Sequence, residues 1–317
     1  MAPQKRFILS VDPMRPPEGL EGAVVAIGNF DGVHRGHRAV IFRAKQLALR
    51  LGRPCAVLTF EPHPADFFGR GEQIFRLTSR DAKAHRLAEL GLDGMIVLTF
   101  DAGLAGLDAE SFLTEILVRR LGVGAVVAGY DFHFAAKRSG TPQFLRESGP
   151  KHGFIVEIVE KVTADDEGSL DAVSSTATRA ALERGDVAAA AAFLGHNWSL
   201  TGKVIHGAKL GRQLGYPTAN LAVDPFCRLR HAIYAVEIAF DGERRKGVAS
   251  FGRRPTVDNG PPLLEVFIFD FAGDLYGKEI EVFFVDFLRP ERKFDSLDAL
   301  LAQIRRDEFQ AKQILGL

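Results

Sequence analysis

The sequence predicts an α/β protein with two parts: a doubly wound domain built on a parallel sheet, then a small antiparallel β-barrel that ends in a helix. Three observations support this. Short β-rich runs alternate with helix-like segments in the first half, turn-separated strands follow from about residue 185, and apolar residues recur at near-helical spacing in the tail. Apolar runs with helices between them are typical of a parallel sheet buried on both faces, and many short strands are typical of a barrel.

Length and composition limit the function classes. The 317 residues suit two domains, which we place at residues 1–184 and 185–317. Because 40 Lys and Arg balance 40 Asp and Glu, neither nucleic acid nor a membrane is an expected partner. Cys55 and Cys227 show no metal-ligand spacing or disulfide framework, and no secretion signal or membrane anchor is present. We expect a cytoplasmic protein with small charged ligands, which self-associates weakly or transiently if at all.

The elements of the first domain follow from its alternating pattern. Four buried strands are predicted, at Ala23 to Gly28, Cys55 to Phe60, Gly94 to Phe100 and Ala125 to Tyr130. The helices between them are predicted at Arg38 to Leu51, Arg80 to Leu90 and Ala109 to Leu121. Two alanine-rich helices follow, at Ser175 to Arg184 and Val187 to Leu194, with Gly185 and Asp186 as the break and the cap.

The second domain reads as strands separated by glycine and proline. The predicted strands lie within residues 201–207, 233–240, 245–250, 263–271 and 280–288. A closing helix is predicted from Ser296 to Leu315, packed through Leu297, Leu300, Leu301, Ile304, Phe309 and Ile314. A fragment that begins near Gly185 would hold all of these elements, so we expect it to fold by itself.

The stretch GNFDGVHRGH, Gly28 to His37, has the features of an anion site. It follows the first predicted strand, so its end falls at the start of the next helix, where free backbone amides favour an anion. His34 and His37 share one helix face at i and i+3, and Gly36 permits close approach to the backbone. This pattern predicts a cradle for nucleotide phosphates. Capping or surface histidines are the alternative; a metal site is less favoured, because no third ligand stands near.

Four segments of the first half and five of the second resemble one family. In order they are GNFDGVHRGH, FEPHP at Phe60 to Pro64, GYDFHF at Gly129 to Phe134 and SSTATR at Ser174 to Arg179; then GKVIHGAKLGRQLGYPTAN at Gly202 to Asn220, GRRPT at Gly252 to Thr256, LEVFIFDF around Glu265, GDLYGKEIEV at Gly273 to Val282 and LRPERKFDSLDAL at Leu288 to Leu300. Together they resemble the bacterial bifunctional riboflavin kinase/FAD synthetase family, over nearly the whole chain.

For the first domain, the resemblance implies a nucleotidyltransferase that moves AMP from ATP to FMN, giving FAD and pyrophosphate. His34, His37 and Arg179 would then contact phosphates. Further ATP contacts would come from Gly28, Asn29, Asp31, Gly36, Asp131, Ser174, Ser175 and Thr176, and His63 and Pro64 would border the flavin. Read from the residues alone, the SSTATR hydroxyls equally suit a helix N-cap, and FEPHP suits a rigid turn.

For the second domain, the resemblance implies phosphorylation of riboflavin by ATP with Mg²⁺. Glu265 would be the base that removes the proton of the riboflavin alcohol, and Thr218 and Asn220 would hold Mg²⁺ and the ATP phosphates. ATP contacts are also expected from Gly202, Gly207, Lys209, Gly211 and Arg212, and a flavin contact from Arg289. From the residues alone, Glu265 could face solvent, the glycine-rich loop could be a plain hairpin, and Arg289 could form a structural ion pair.

Three positions depart from the family pattern. Ala135 and Ala232 stand where glycine is usual, and Phe267 stands where histidine is common. These changes concern affinity and loop geometry more than reaction type. The resemblance therefore predicts a cytoplasmic enzyme that makes FMN and then FAD from riboflavin and ATP. The alternatives are a chain with one active module, or a regulatory protein that binds ATP and flavin without catalysis.

Overall fold

The computed structural model describes residues 6–69, 73–161, 173–207, 211, 214–253 and 262–317. They form two compact units. The first contains the residues before 75 together with Ser79–Ser174, and the second contains Phe75–Thr78 together with Ser175–Leu317. The division thus falls between Ser174 and Ser175, whereas the sequence predicts a boundary at 184/185.

The first unit is built on a six-stranded parallel sheet in the order β1-β4-β3-β2-β5-β6. The strands are β1 Ile8–Val11, β2 Val24–Ile27, β3 Cys55–Glu61, β4 Gly94–Thr99, β5 Ala125–Gly129 and β6 Ile155–Val159. The four central strands are those that the sequence predicts. The outer strands β1 and β6 were not predicted, because each pairs on one side only and is partly exposed, so neither forms a buried apolar run.

Helices cover both faces of this sheet. They are α1 Arg35–Leu51, α2 Pro64–Phe68, α3 Arg80–Glu89, α4 Ala102–Gly106, α5 Ala109–Ser111 and α6 Pro142–Ser148. After α5 the chain continues as a π-helix, Phe112–Arg120, where the sequence predicts a single α-helix from Ala109 to Leu121. Val25 and Ile27 pack into one apolar cluster, while Val24 and Ala26 pack into another. Two buried faces on alternate residues confirm the predicted doubly wound arrangement.

The second unit contains a closed barrel of six antiparallel strands in the order β10-β11-β8-β7-β12-β9. The elements are α7 Ser175–Arg184, α8 Val187–Leu194, β7 Ser199–Ile205, β8 Thr218–Ala222, β9 Ala232–Phe240, β10 Glu243–Gly252, β11 Leu263–Ile268, β12 Glu279–Pro290 and α9 Leu297–Leu315. The barrel and the final helix confirm the predicted fold class. Strand β8 was missed as a strand because its short run, TANLA, has little apolar character.

The final helix packs through part of the face that the sequence predicts. Its buried residues are Asp307, Ala311 and Leu315. Of the six apolar residues expected in the packing face, three are half-buried and three are exposed: Leu300, Leu301 and Ile304, then Leu297, Phe309 and Ile314. The prediction did not include Asp307, which lies on the buried face and pairs with Arg289 of β12.

Helix α7 belongs to the second unit because its side chains complete the core beside α8. Ala181 and Leu182 are fully buried in the cluster that contains Trp198. The same cluster includes Phe75 and Leu77, although they lie far upstream in the sequence. Leu77 also accepts a hydrogen bond from the indole nitrogen of Trp198 at 2.9 Å. Spacing along the chain gave no sign of this long-range contact.

We expect a fragment of residues 175–317 to be more stable than one of residues 185–317 by about 2–5 kcal/mol, since the shorter fragment loses the fully buried Leu182 and its helix. The free energy of unfolding of each fragment, obtained by urea denaturation, checks this. The comparison is matched, because both fragments lack Phe75 and Leu77. Equal midpoints would mean that α7 adds nothing to the barrel core.

Candidate active sites

In the first unit, the turn after β2 leads directly into α1, and His34 is the N-cap of that helix. Its Nδ1 accepts a hydrogen bond from the backbone N–H of His37 at 3.2 Å. Because Nδ1 is an acceptor, a neutral His34 carries its proton on Nε2. The rings of His34 and His37 stack, with centroids 3.5 Å apart. His34 is thus a helix cap, which is the alternative that the sequence left open. The two rings also lie together in the first turn of α1, as their i, i+3 spacing predicts.

The backbone of this turn is unusual. Gly32 has φ +83°, and the non-glycine residues Phe30 and Val33 also have positive φ, +50° and +44°. Such values are strained for a β-branched residue and concentrate at functional sites. At Gly36 a Cβ would stand 3.2 Å from the His34 ring, so glycine lets that ring lie against the helix. The sequence predicts the turn itself, but gives no sign of strain at Phe30 and Val33.

The remaining predicted nucleotide residues of this unit lie at the same edge of the sheet. Gly28 and Asn29 directly follow β2, and Asp31 is buried within the turn. Asp131 is the second residue after β5, the neighbour of β2, and its carboxylate lies close to Gly129. The carboxyl ends of neighbouring parallel strands are where α/β sheets bind ligands.

The FEPHP segment forms a turn with a cis Glu61–Pro62 bond and then starts α2. His63 caps that helix, because its Nδ1 accepts the N–H of Ala65 at 3.1 Å. Beside it lies an aromatic cluster that the sequence did not suggest. Phe67 and Phe68 are 41% and 67% exposed, and both rings contact Phe100 within 5.7 Å. The rings meet edge to face, and together they leave an apolar aromatic surface partly open to solvent.

The SSTATR segment is divided between the units. Ser174 ends the first unit, while Ser175, Thr176 and Arg179 lie on α7 in the second. The Nε of Arg179 donates to the carbonyl of Phe75 at 2.6 Å. The contacts described here give Arg179 a structural bond and leave both readings of the hydroxyls, helix start and phosphate contact, open.

In the second unit, strand register brings the predicted base and the PTAN amide together. Glu265 on β11 is directly opposite Asn220 on β8 and Ser250 on β10. Its neighbours Leu264 and Val266 are fully buried in the core, so Glu265 points to the outer face of the barrel. There it is half-buried, which is less exposure than the solvent-facing alternative implies. The sequence analysis did not place Ser250 near Glu265, because no sequence motif contains it.

The PTAN segment presents two oxygen-bearing side chains on one face. Thr218 and Asn220 are two residues apart in β8, and Asn220 is only 5% exposed. A Cβ on Gly207 would stand 2.5 Å from the Asn220 amide, and one on Gly211 would stand 2.4 Å from the Tyr216 carbonyl. The glycine-rich segment therefore lies directly against PTAN, which only glycine permits. Gly202 is further along, within β7 and opposite Ile280. Lys209 and Arg212 lie outside the described residues, as does most of GRRPT.

Arg289 forms the structural ion pair that the sequence left open. Its Nε and Nη2 bind the carboxylate of Asp307 at 2.7–3.0 Å, and Nη1 donates to the carbonyl of Pro290. Glu291, which follows, was not singled out from the sequence. Burial raises the pKa of its carboxyl, the charge of Arg289 lowers it, and the charge of Glu265 raises it again. Glu265 and Glu291 are thus close enough to repel each other.

Two of the three departures from the family pattern fit without strain. Ala232 begins β9 with its methyl fully buried, and Phe267 packs on the ring of Tyr216 at 5.1 Å. Ala135 does not: its φ of 64° and ψ of 174° fall in a region that is essentially restricted to glycine. The methyl group expected there is therefore accommodated at the cost of backbone strain.

Replacing Ala135 by glycine should stabilise the protein by about 1 kcal/mol, because relief of about 1–3 kcal/mol of strain exceeds the added entropy of the unfolded chain. Thermal unfolding should then shift upward by roughly 2–4 °C. Ala136→Gly is the matched control, since Ala136 has no positive φ, and we expect it to be destabilising. A lower midpoint for A135G would show that Ala135 is unstrained.

Comparisons with known proteins cover both units. The FAD synthetase family matches residues 17–177, and the riboflavin kinase family matches residues 194–315. The bifunctional riboflavin kinase/FMN adenylyltransferase of Escherichia coli K12 is 40% identical over 94% of this chain and 94% of its own, and that of Pseudomonas fluorescens is 41% identical over 92% and 93%. A crystal structure titled as a macrolide-efflux protein of Streptococcus pneumoniae superposes with a TM-score of 0.81 at 30% identity, over 95% of this chain and 98% of that one. Across the part of the chain that the structure describes, no helix has the length and apolar character needed to cross a membrane.

Proposed function

We propose residue roles for a chain that belongs to the bifunctional riboflavin kinase/FMN adenylyltransferase family. The protein phosphorylates riboflavin with ATP to give FMN. It also transfers AMP from ATP to FMN, which gives FAD and pyrophosphate. We assign the kinase reaction to the Asn220–Glu265 row of the barrel and the adenylyl transfer to the turn between β2 and α1, with the functional division of the chain at 184/185.

Glu265 is the proposed base of the kinase reaction. A primary alcohol is a weak nucleophile at neutral pH, so a carboxylate placed beside it helps remove the proton as the oxygen attacks the γ-phosphorus. Three features support Glu265: its outward direction, its partial burial and its place opposite Asn220. Burial, and then the nearby charge of Glu265, raise the pKa of the Glu291 carboxyl, so the two carboxyl groups lie close together on this face.

Thr218 and Asn220 are the proposed ligands of Mg²⁺. Both are neutral oxygen donors on one face of β8, and the glycine-rich segment lies directly against Asn220. Mg²⁺ commonly binds few protein ligands and takes the rest from phosphates and water. Bound there with ATP, Mg²⁺ would offset the phosphate charge.

Adenylyl transfer needs positioning more than proton transfer. An oxygen of the FMN phosphate attacks the α-phosphorus of ATP, and the bond to pyrophosphate breaks. We assign His34 and His37 to the phosphates, because their stacked rings lie in the first turn of α1, at the helix N-terminus. Gly28, Asn29, Asp31, Gly36 and Asp131 would shape the nucleotide site, and Ser174, Ser175, Thr176 and Arg179 would contact the phosphates.

The flavin of the adenylyl transfer site is assigned to the FEPHP segment and the aromatic cluster next to it. The exposed ring of Phe68, which meets the partly buried ring of Phe100 edge to face, gives the flavin an aromatic contact, and His63 and Pro64 lie close by in sequence at the start of α2. In the kinase unit, Nε and Nη2 of Arg289 both donate to the carboxylate of Asp307. We therefore propose that Arg289 acts on the flavin site by holding α9 against the barrel.

The observation that carries this assignment is the direct pairing of Glu265 with Asn220. It is tested by incubating the purified protein with riboflavin and MgATP and separating the products by chromatography. FMN followed by FAD is the expected result. FMN alone would indicate one active module, and neither product would favour the binding protein.

We predict a cytoplasmic location for the protein and small molecules as its partners. Both thiols are free and buried, and burial raises the pKa of each to about 12, which suits a reducing cytoplasm. Small molecules, without nucleic acid or membrane, remain the expected partners, and any oligomer is expected to be weak or transient.

A further inference from the structure

A buried lysine, Lys83 of α3, lies directly beneath the turn between β2 and α1. Its side chain is only 3% exposed. Its Nζ donates to the backbone carbonyl of Asn29 at 2.9 Å and pairs with the carboxylate of Glu61 at 3.2 Å. An ammonium group is rarely buried in this way, because leaving water costs several kcal/mol unless the charge is well paired.

The carbonyl of Asn29 is the point where side chains hold the strained turn. It accepts from Lys83 and also from the hydroxyl of Thr59, a fully buried residue of β3, at 3.0 Å. The next residue, Phe30, has positive φ. A strained backbone persists only where its surroundings hold it in place. Two donors on one carbonyl, one of them charged, provide such a restraint.

The other partner of Lys83 connects a second part of the site. Glu61 ends β3 and is followed directly by Pro62 and His63. Lys83 therefore joins two segments that are far apart in sequence: the turn assigned to ATP and the loop assigned to the flavin. Its own burial means that the ammonium cannot reach a ligand, so any influence on the reaction passes through these two contacts.

We propose that Lys83 is a positioning residue for FMN adenylyl transfer, which sets the ATP turn and the FEPHP loop at the separation that in-line attack requires. The inference rests on the proposed location of that reaction. A misplacement of reacting groups by about 1 Å can lower a rate by roughly 10²-fold. The rate of the chemical step should thus depend on Lys83, whereas riboflavin phosphorylation, which uses the other unit, should not.

The test is Lys83→Met, which keeps length and apolar character but removes the ammonium. We expect kcat for FAD formation to fall about 10- to 100-fold, with kcat for riboflavin phosphorylation within twofold of the parent. Lys45→Met is the matched control, because Lys45 also donates to a backbone carbonyl, that of Leu90, but away from the turn. Glu61→Gln should lower kcat less than K83M, since the amide oxygen can still accept from Lys83.

A lower melting temperature for K83M with an unchanged kcat for FAD formation would overturn the proposal, because a merely structural lysine behaves in this way. If K83M does not fold, Thr59→Val removes the other donor to Asn29 with little change in shape. The proposal then requires T59V to lower kcat at least threefold, and parental kcat would overturn it. His37→Ala, measured in parallel, tests the assigned location of adenylyl transfer independently of Lys83. A normal rate of FAD formation in H37A would refute that location.

Discussion

Replacing Glu265 by glutamine should lower the turnover of FMN formation by roughly 10²–10⁴, the usual contribution of a general base. The side chain keeps its shape and its place opposite Asn220, so the ATP site stays intact. The barrel should not be destabilised, because the substitution removes the repulsion between Glu265 and Glu291. The measurement is the steady-state rate of FMN production from riboflavin and MgATP, with KM for ATP determined alongside.

The matched control is Glu243→Gln. Glu243 also carries a carboxylate on the barrel, in β10, but its side chain is 59% exposed and pairs only with the exposed Arg245 among the contacts described here. It should change turnover by less than twofold, since exposed ion pairs contribute little. Turnover of E265Q within twofold of the parent would remove Glu265 from the mechanism. An equal loss in E243Q would trace the effect to general charge rather than to position.

Replacing His37 by alanine is expected to lower FAD formation by roughly 10²–10³, the usual loss for one preorganised donor, while riboflavin phosphorylation continues. His37 is a cleaner choice than His34. The side chain of His34 caps α1, so its loss would also cost about 0.5–2 kcal/mol of stability. In H37A the cap remains, because it uses only the backbone N–H of residue 37.

Both activities of H37A are measured on the same preparation, FAD formation with FMN supplied and FMN formation with riboflavin. His85→Ala is the control in the same unit, since His85 is 72% exposed on α3. A parallel fall of both activities in a folded H37A protein would contradict the assignment of two separate sites.

Features that depend on local sequence patterns could be predicted, whereas features that depend on contacts between distant segments could not. Buried strands such as β2 and β3 could be predicted, because an apolar run bounded by glycine or proline is a local signal. The i, i+3 histidines are also local, and their rings do stack. Lys83 shows what local patterns miss. Between Ala82 and Ala84 it has the sequence context of an ordinary exposed helix residue, and its burial depends on contacts with Asn29 in the turn after β2 and with Glu61 at the end of β3.

The final helix shows the same limit from another side. Its apolar spacing predicts a helix correctly, but nothing in that spacing shows that Asp307 lies on the buried face, where it pairs with a residue of β12. Strain at Ala135 could be suspected from the alanine in a glycine position, whereas strain at Val33 could not, since only the folded turn imposes that positive φ.

The place of Phe75–Thr78 in the second unit also determines the order of events during synthesis. Leu77 and its partner Trp198 are 121 positions apart, and at roughly 5–20 residues per second the ribosome needs roughly 6–24 seconds to make the chain between them. During that interval Phe75 and Leu77 have been synthesised but the core that buries them does not yet exist. The core of the second unit can therefore close only after Trp198 has been made, when the whole chain of the first unit is already present.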